Sequence, residues 1–364
     1  MNARERFRAT IEFQPLDRPF RWEVPAIWDS TIRRWQAEGM PEVADINAHF
    51  GMDELEWLPM IQWTLDPLCP PFAYEILEDD GVNIIERDVD GIIKKQRRSG
   101  RETSMPQFIR FPAENRQDYK EHILWRLNPA TPERFPENWA QEVQRYQNRT
   151  FPLGLHVIGP FGHLRNLMGD EQLMYTFFDD PDFIREIMLN WLNFYLDFLG
   201  QVFRDVVPDM IMIWEDMCYK CGPLIPPSFY REYLLPPLKQ LISFCQQSGV
   251  PGIFVDNDGD CSMMIPIYLE AGANGFYPFE CRAGMDIVKI RDQYGPRFVI
   301  IGGIEKYTLS DACTPDDMRK EIYDKVPAML ESGGYIPMLD HSAPPNISYS
   351  RFLQFLEEIR NLQK

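Results

Sequence analysis

The chain has 364 residues, of which 45% are hydrophobic and 25% charged, and its formal net charge is −18. This balance indicates a globular protein with a sizeable core, and the length allows two ordinary domains or one elaborated α/β barrel. The negative charge argues against nucleic acid or an anionic membrane as a partner, because both require a basic surface.

The first predicted element is an amphipathic helix at the N-terminus. Asn2 can cap this helix, Glu5 completes a capping box, and Phe7 and Ile11 lie on one face. No apolar run has the length of a signal-peptide core or a membrane span. The seven cysteines are scattered and odd in number, as is typical of free thiols in a reducing compartment. The sequence therefore predicts a cytoplasmic protein.

An insertion is predicted at about residues 74–107. Residues 82–87 and 91–96 have the pattern of two antiparallel strands joined by a turn at Asp90-Gly91. If the rest of the chain forms a barrel, we expect this β-hairpin to cover or flank the mouth of the barrel, or to form an oligomer contact.

From residue 152 onward one pattern repeats: a short apolar strand, a polar loop and an amphipathic helix. The predicted strands are 152–158, 208–214, 251–255, 275–279, 297–301 and 334–339. Each strand is short and bounded by Gly, Pro or charged residues, as expected in a parallel sheet that is buried on both faces. Two more strands are needed to close a barrel, and we place them near 24–27 and between 55 and 61. The prediction is a single α/β domain over residues 1–364, a (β/α)8 TIM barrel with an N-terminal helix and a hairpin insertion.

Two of the connecting helices have clear start signals. Asp180 and Pro181 begin one, with Asp180 as the cap and Pro181 at the first helical position. Thr314 and Pro315 begin another, which ends near Gly333.

Polar side chains follow the predicted strands, where the active sites of parallel barrels form. In chain order they are Trp28, His163, Glu215, Asp216, Asp256, Asp258, Glu280, Glu305, Asp340 and His341. Converging carboxylates suit a metal ion, a cationic substrate, or a carboxylic acid whose raised pKa allows acid–base catalysis. Any one of them has a structural alternative, because carboxylates after strands also cap helices. Asp256 and Asp258 together favour function, and so does His341, which stands in a polar break directly after an apolar strand.

Cys218 and Cys221 have the spacing of a zinc knuckle or a redox pair. A second such pair is absent from the sequence, and Gly222-Pro223 breaks the chain where a redox pair would begin a helix. We therefore interpret this spacing as structural.

Several segments resemble the uroporphyrinogen decarboxylase superfamily. They are residues 2–7, Asp17-Arg18-Pro19, Trp214-Glu215-Asp216-Met217, residues 222–225 and 233–236, residues 301–306, residues 333–337 and Asp340-His341. The resemblance spans nearly the whole chain and implies the (β/α)8 barrel. It does not fix the activity, because the superfamily contains porphyrinogen decarboxylases, corrinoid-dependent methyltransferases and many uncharacterised members.

The haem-pathway decarboxylases of this family carry arginines after the first strand, which hold substrate carboxylates, and an aspartate that bonds the pyrrole nitrogens. Here residues 24–30 replace the arginine segment without any arginine, and the second segment has no counterpart. His341 matches a histidine of the family's closing segment. The departures argue against porphyrinogen decarboxylation.

The methyltransferases of the family hold zinc with a His-x-Cys pair after strand five and a Cys after strand eight. In this chain those positions hold Asp256, Asp258 and His341. The resemblance thus implies no thiolate-rich zinc site, although these three residues, with Glu280, could bind zinc or a harder metal. A metal-free polar pocket is the alternative.

The favoured hypothesis is a methyltransferase that moves a methyl group from a small O-, N- or S-methyl substrate to a corrinoid protein. Asp256, Asp258 and His341 are its catalytic residues, and the other strand-end residues bind the substrate. The alternatives are a decarboxylase or lyase acting on a small non-porphyrin acid, and a non-catalytic binding protein. The expected partners are the substrate, a corrinoid protein and, in a homodimer, a second copy of the chain.

Overall fold

The computed structural model describes residues 1–23, 27–60, 67–98 and 106–362. Its strands are β1 (Glu56–Trp57), β2 (Glu75–Asp79), β3 (Asn83–Arg87), β4 (Ile93–Arg97), β5 (Gln107–Arg110), β6 (Leu153–Ile158), β7 (Met210–Trp214), β8 (Cys218–Tyr219), β9 (Gly222–Pro223), β10 (Gly252–Asp256), β11 (Gly275–Tyr277), β12 (Val299–Ile301) and β13 (Tyr335–Ile336). Its helices are α1 (Ala3–Ile11), α2 (Asp29–Ala37), α3 (Ile46–His49), α4 (Arg116–Asp118), α5 (Trp139–Gln147), α6 (Pro160–Asp179), α7 (Pro181–Asp205), α8 (Pro227–Phe229), α9 (Leu235–Gln247), α10 (Ile265–Ala271), α11 (Ile287–Tyr294), α12 (Pro315–Ser332) and α13 (Tyr349–Leu362).

A curled sheet of seven parallel strands forms the centre, in the order β1-β6-β7-β10-β11-β12-β13. A bridge between Ile304 and Leu339 extends the pairing of β12 with β13. Helices connect successive strands from β6 onward, because parallel neighbours require a crossover. The predicted α/β barrel fold is therefore confirmed, including the six strands after residue 152. Strand β1 confirms the one placed between 55 and 61, whereas the strand predicted near 24–27 falls largely outside the described residues.

Side chains alternate along the strands and separate two apolar cores. Ile211 and Ile213 of β7 pack outward against the helices. Met210 and Met212 of the same strand pack inward with Phe254 of β10, in the space enclosed by the sheet, here called the lumen. This alternation decides which residues at the strand ends can reach the lumen.

Helix α1 packs against the amino end of the lumen. Its predicted capping box is confirmed, since the Asn2 side chain accepts from the Glu5 N–H and the Glu5 side chain accepts from the Asn2 N–H. Phe7 and Ile11 belong to the lumen core. Ile11 lies 3.0 Å from where a Cβ on Gly252, the first residue of β10, would stand. The opposite, carboxyl end of the sheet is the mouth of the barrel.

The insertion is larger than the predicted hairpin. Strands β3 and β4 pair antiparallel as predicted, and β2 and β5 flank them in a four-stranded sheet that is separate from the barrel sheet. In the turn between β3 and β4, the Asp88 carboxylate accepts from the N–H groups of Asp90 and Ile92, and Gly91 has a φ of 87°. Its placement over the mouth stays a prediction.

Candidate active site at the carboxyl end of the sheet

Asp256 is the last residue of β10, and its side chain faces the lumen. Strand alternation puts it on the same face as Phe254, and its register partners are Trp214 on β7 and Tyr277 on β11. Asp256 and Tyr277 therefore form a row on the lumen side of the mouth, whereas the Trp214 ring packs against the outer core and under Arg165 of α6. Asp256 and Tyr277 stand next to each other in this row.

The polar groups of Asp256 and Tyr277 have no protein partner. Within the described part of the chain, no group hydrogen-bonds to the Asp256 carboxyl or to the Tyr277 hydroxyl, although Tyr277 is only 4% exposed. Burial, and then the negative charges of Asp258 and Asp216, raises the pKa of Asp256 well above its usual range. Burial and the charge of Asp256 likewise raise the pKa of Tyr277. Both shifts favour the neutral O–H form of the group.

A second cluster combines Asp258, Glu280 and His341 just beyond the strand ends. One ligand atom from each of the three lies within 4.8 Å of the others. The Asp258 carboxylate is 3.4 Å from Nε2 of His341. Glu280 accepts from the Gly259 N–H at 2.9 Å, and Lys306 stands 3.7 Å from its other oxygen. Asp258, predicted after the strand that is now β10, and His341, predicted after β13, are therefore close together. Asp256, predicted as a fourth metal ligand, lies outside this group.

The hydrogen bond of His341 bears on metal binding. Its Nδ1 accepts from the Ser342 N–H at 2.8 Å, so the proton of the neutral ring is assigned to Nε2, which faces Asp258. A histidine that binds a metal through Nε2 normally carries its proton on Nδ1 and donates it to an acceptor. The three donor atoms are close enough for a cation, but the tautomer that this ring requires does not fit zinc ligation.

Asp216 is held by an arginine that lies on helix α6. The Arg165 guanidinium donates to the Asp216 carboxylate at 2.7 Å and to its carbonyl oxygen at 2.7 Å, and lies over the Trp214 ring at 5.1 Å. Burial raises the pKa of Asp216, whereas Arg165 opposes this shift. The backbone of Asp216 has a φ of 42° and that of Phe279 a φ of 62°. Such strained non-glycine conformations concentrate at functional sites.

Glu215 lies behind the sheet end rather than in the open mouth. It is fully buried, and its Oε2 accepts from the N–H groups of Phe161 and Gly162 in the first turn of α6, at 2.9 and 3.3 Å. The Tyr230 hydroxyl donates to its other oxygen. These contacts make Glu215 a cap for α6, and its predicted role in substrate binding stays a prediction. Burial raises its pKa to about 7 despite these donors.

A Glu215→Gln variant tests this capping role through stability. A carboxyl group whose pKa rises from 4.5 to about 7 on folding favours the folded state in its protonated form, so the free energy of unfolding falls as pH rises through that window. Glutamine removes the ionisation and retains an oxygen for the two N–H donors. Relative to wild type, we expect the variant to gain about 1–3 kcal/mol between about pH 5 and pH 8, measured by urea unfolding. A stability difference that does not vary with pH would contradict the assignment.

The remaining predicted site residues have different surroundings. Asp340 is buried and its two oxygens accept from the N–H groups of Cys281 and Lys306, both at 2.9 Å, so it joins neighbouring loops. Glu305 pairs with Arg282 at 3.0 Å. His163 is fully buried in α6, and Trp28 is half-buried at the start of α2. Their roles in substrate binding stay predictions.

Three titratable residues at the barrel sheet, two of them in the lumen, were missed by reading strand ends alone. His156, inside β6, stacks on Trp57 at 3.7 Å, is reached by solvent, and has its pKa lowered to about 4 by the packed walls around it. Tyr277 is described above. Burial raises the pKa of Glu23 to about 8, and its carboxyl accepts weakly from Leu339 at 3.4 Å. The alternation of side chains along the predicted strands 152–158 and 275–279 could have indicated that His156 and Tyr277 face the lumen.

The comparisons with known proteins agree with this architecture. The family model for uroporphyrinogen decarboxylase (URO-D) matches residues 139–362, more than half of the chain. The chain belongs to the URO-D family. No curated protein matches its sequence.

Solved structures resemble the fold of this URO-D family member at low identity. A methyltransferase from Methanosarcina mazei is 12% identical, with 100% of both chains covered and a TM-score of 0.63. A B12-independent methionine synthase from a Shewanella species is 10% identical over 62% of this chain and 66% of that one, with a TM-score of 0.39. At these identities the first match shows the shared fold alone, and the second is too distant to support an argument. None of the helices in the described ranges has the length and apolar character that a bilayer crossing requires.

Proposed function

We propose that this URO-D family member is a cytoplasmic, single-domain methyltransferase, which transfers a methyl group from a small O-, N- or S-methyl compound to a corrinoid protein. The observation that carries the proposal is the Asp256 carboxyl group, which faces the lumen without a protein partner beside the equally unpartnered Tyr277 hydroxyl. The sharing of a fold with a methyltransferase is consistent with it.

In this proposal Asp256 supplies the proton that methyl transfer consumes. When the bond between the heteroatom and the methyl carbon breaks, the carbon goes to the acceptor and the electron pair of that bond stays on the heteroatom. The heteroatom then requires a proton, and a neutral carboxyl group in a buried site is a suitable donor. Tyr277 hydrogen-bonds the same heteroatom and orients it.

Asp258 and His341 have a supporting role at the rim of the lumen. Nε2 of His341 lies 3.4 Å from the Asp258 carboxylate, whose charge acts on Asp256. That negative charge favours the protonated form of Asp256 between turnovers. No step is assigned to a metal, because the hydrogen bond to Nδ1 of His341 does not fit ligation through Nε2.

A methyl-transfer assay tests the proposal directly. Purified protein is mixed with cob(I)alamin as the acceptor and with one O-methyl, one N-methyl and one S-methyl donor in separate reactions. We expect one class of donor to give methylated corrinoid and demethylated product in equal amounts. Methylation of the corrinoid by none of the three classes, together with carbon dioxide release from a small carboxylic acid, would favour the decarboxylase alternative instead.

Uroporphyrinogen is expected to be a non-substrate. Its many carboxylates require cationic clamps, whereas the described mouth presents Asp256, Asp258 and Glu280. Arg165 is already paired with Asp216, and Lys306 faces Glu280. We expect no decarboxylation above the uncatalysed rate when product porphyrins are separated by chromatography. Turnover at about 1 per second or faster would overturn this expectation.

A further inference from the structure

Tyr277 carries a buried hydroxyl group that is available to a ligand. It is the last residue of β11, is 4% exposed, and faces the lumen beside its register partner Asp256. Within the ranges that the structure describes, neither this hydroxyl nor the Asp256 carboxyl has a hydrogen bond. A buried hydroxyl without a partner costs free energy, so the molecule that fills the lumen is expected to hydrogen-bond it.

The two groups are close enough to contact one atom of a ligand. Asp256 and Tyr277 are register partners on adjacent parallel strands, whose backbones lie about 4.8 Å apart. After burial, the charge of Asp256 is the largest cause of the raised pKa of Tyr277, so the two groups lie near each other. The Tyr277 hydroxyl donates one hydrogen bond, and the protonated Asp256 carboxyl donates another. A ligand atom that accepts both needs two lone pairs.

The three kinds of atom that could carry the methyl group differ in their lone pairs. An ether oxygen has two lone pairs and can accept from both groups. The nitrogen of a methylammonium ion has none, so such a substrate would leave the Tyr277 hydroxyl without a partner. The sulfur of a thioether is only a weak acceptor. The pair of donors therefore favours oxygen.

The chemistry of the leaving group favours the same class. When the bond between carbon and oxygen breaks, the methyl carbon goes to the corrinoid acceptor, which supplies the electrons of the new bond, and the old bonding pair stays on oxygen. Phenols and alcohols have a pKa of about 10 or higher, so the departing oxygen needs the proton of Asp256, which remains as a carboxylate. An ammonium ion leaves as a neutral amine, and a thiolate is stable near the thiol pKa of about 8.5. Neither of these leaving groups depends on a proton donor to the same extent.

The carboxylates around this row do not require a cationic substrate. Three of them have charges that reach Asp256 or Tyr277, and each has a basic neighbour. These pairs are Asp216 with Arg165 at 2.7 Å, Glu280 with Lys306 at 3.7 Å and Asp258 with His341 at 3.4 Å. A cationic substrate would have to compete with these side chains for the negative charge.

The lumen has space beside the row for the rest of a substrate. The register partner of His156 on β7 is Met212, which pairs in turn with Phe254, two residues before Asp256. His156 is nevertheless exposed, and its ring stacks on Trp57. Solvent therefore reaches past the row on the β6 side, where the group attached to the oxygen can lie.

We propose that the methyl donor is a methyl ether, whose oxygen accepts hydrogen bonds from Tyr277 and Asp256. This inference rests on the proposed methyl transfer and narrows its three classes of donor to one. Ethers of aliphatic alcohols and of phenols share this chemistry, and the choice between them is left to the assay.

Single-turnover methyl transfer to cob(I)alamin tests the class of donor. The four probes are 2-methoxyethanol, 4-methoxyphenol, dimethyl sulfide and tetramethylammonium, at equal concentrations. We expect at least one ether to react about tenfold faster or more than the sulfide and the ammonium ion, and the faster ether identifies an aliphatic or a phenolic substrate. Faster transfer from the sulfide or the ammonium ion would overturn the ether assignment and leave methyl transfer itself established.

Calorimetric titration of both ethers without an acceptor gives a measurement that does not depend on turnover. Tyr277→Phe removes one donor and should weaken the binding of the ether about three- to tenfold. Because no described residue bonds that hydroxyl, the variant should fold at least as stably as the wild-type protein. Tyr175→Phe, at an exposed position on α6, is the matched control and should bind as wild type does.

The two measurements together separate failure of the ether assignment from failure of the proposed function. Ether binding that Tyr277→Phe weakens, without methyl transfer from any donor, would support the ether site and reject the proposed function. The ether assignment is overturned if neither ether reacts and neither binds saturably below about 10 mM. It is also overturned if Tyr277→Phe binds and demethylates the ether as the wild-type protein does.

Discussion

Replacing Asp256 with asparagine is expected to lower the rate constant of methyl transfer by about 10²–10⁴-fold. Asparagine keeps the shape of the side chain and can still donate a hydrogen bond, but it cannot give up a proton at neutral pH. The departing heteroatom would then take its proton from water or leave as an anion. The rate is measured by single turnover with whichever methyl donor the assay identifies, so that product release does not mask the chemical step.

Asp260→Asn is the matched control for this variant. Asp260 lies on the same loop, and its carboxylate accepts from the Ser262 N–H at 3.0 Å. We expect it to retain the wild-type rate within about twofold. Melting curves for both variants separate a loss of chemistry from a loss of folding. An Asp256→Asn protein that transfers methyl groups at the wild-type rate would remove Asp256 from the mechanism.

The fold could be predicted from the sequence because local patterns and the global architecture agree. Each strand from 152 onward is a short apolar run. The cap predicted at Asp180 is present at the start of α7, where the Asp180 side chain accepts from the Phe183 N–H. The capping box at Thr314 and Asp317 begins α12 in the same way. Strand ends were predicted less accurately. The 334–339 prediction, for example, corresponds to pairing only at Tyr335–Ile336 and an isolated bridge at Leu339.

The sequence indicates which residues cluster at the candidate site, but it does not predict the contacts that each of them makes. Asp256 and Asp258 look like one pair when read as a sequence, yet β10 ends between them, so one faces the lumen and the other joins Glu280 and His341. Glu215 and Asp216 are adjacent, but one caps α6 and the other pairs with Arg165. Such differences depend on which neighbouring element approaches each side chain, and that is decided by tertiary packing.

The Asp258–His341 pair at the rim of the mouth is expected to act as one unit. Alanine at either position should lower the methyl-transfer rate by about 10-fold or more. Asp258→Ala removes a negative charge that adds to burial in favouring the protonated form of Asp256, and His341→Ala removes the ring that stands 3.4 Å from that charge. The double variant should lose little beyond either single variant. A coupling free energy of about 0.5–3 kcal/mol from the double-mutant cycle would measure their interaction.

The metal content of the same variants decides between a metal-free Asp258–His341 pair and a zinc site. Protein purified without chelator is expected to hold well under one equivalent of zinc, because Nδ1 of His341 already accepts the Ser342 N–H and the ring proton faces Asp258. Glu280→Gln sharpens the comparison. Its carboxylate lies close enough to complete a metal site, but in the metal-free arrangement it accepts from the Gly259 N–H and faces Lys306. We therefore expect Glu280→Gln to affect the rate far less than His341→Ala.

The opposite outcome would be stoichiometric zinc in the wild-type protein. If Asp258→Ala, Glu280→Gln and His341→Ala each lost both the zinc and the activity, the three residues would be established as ligands.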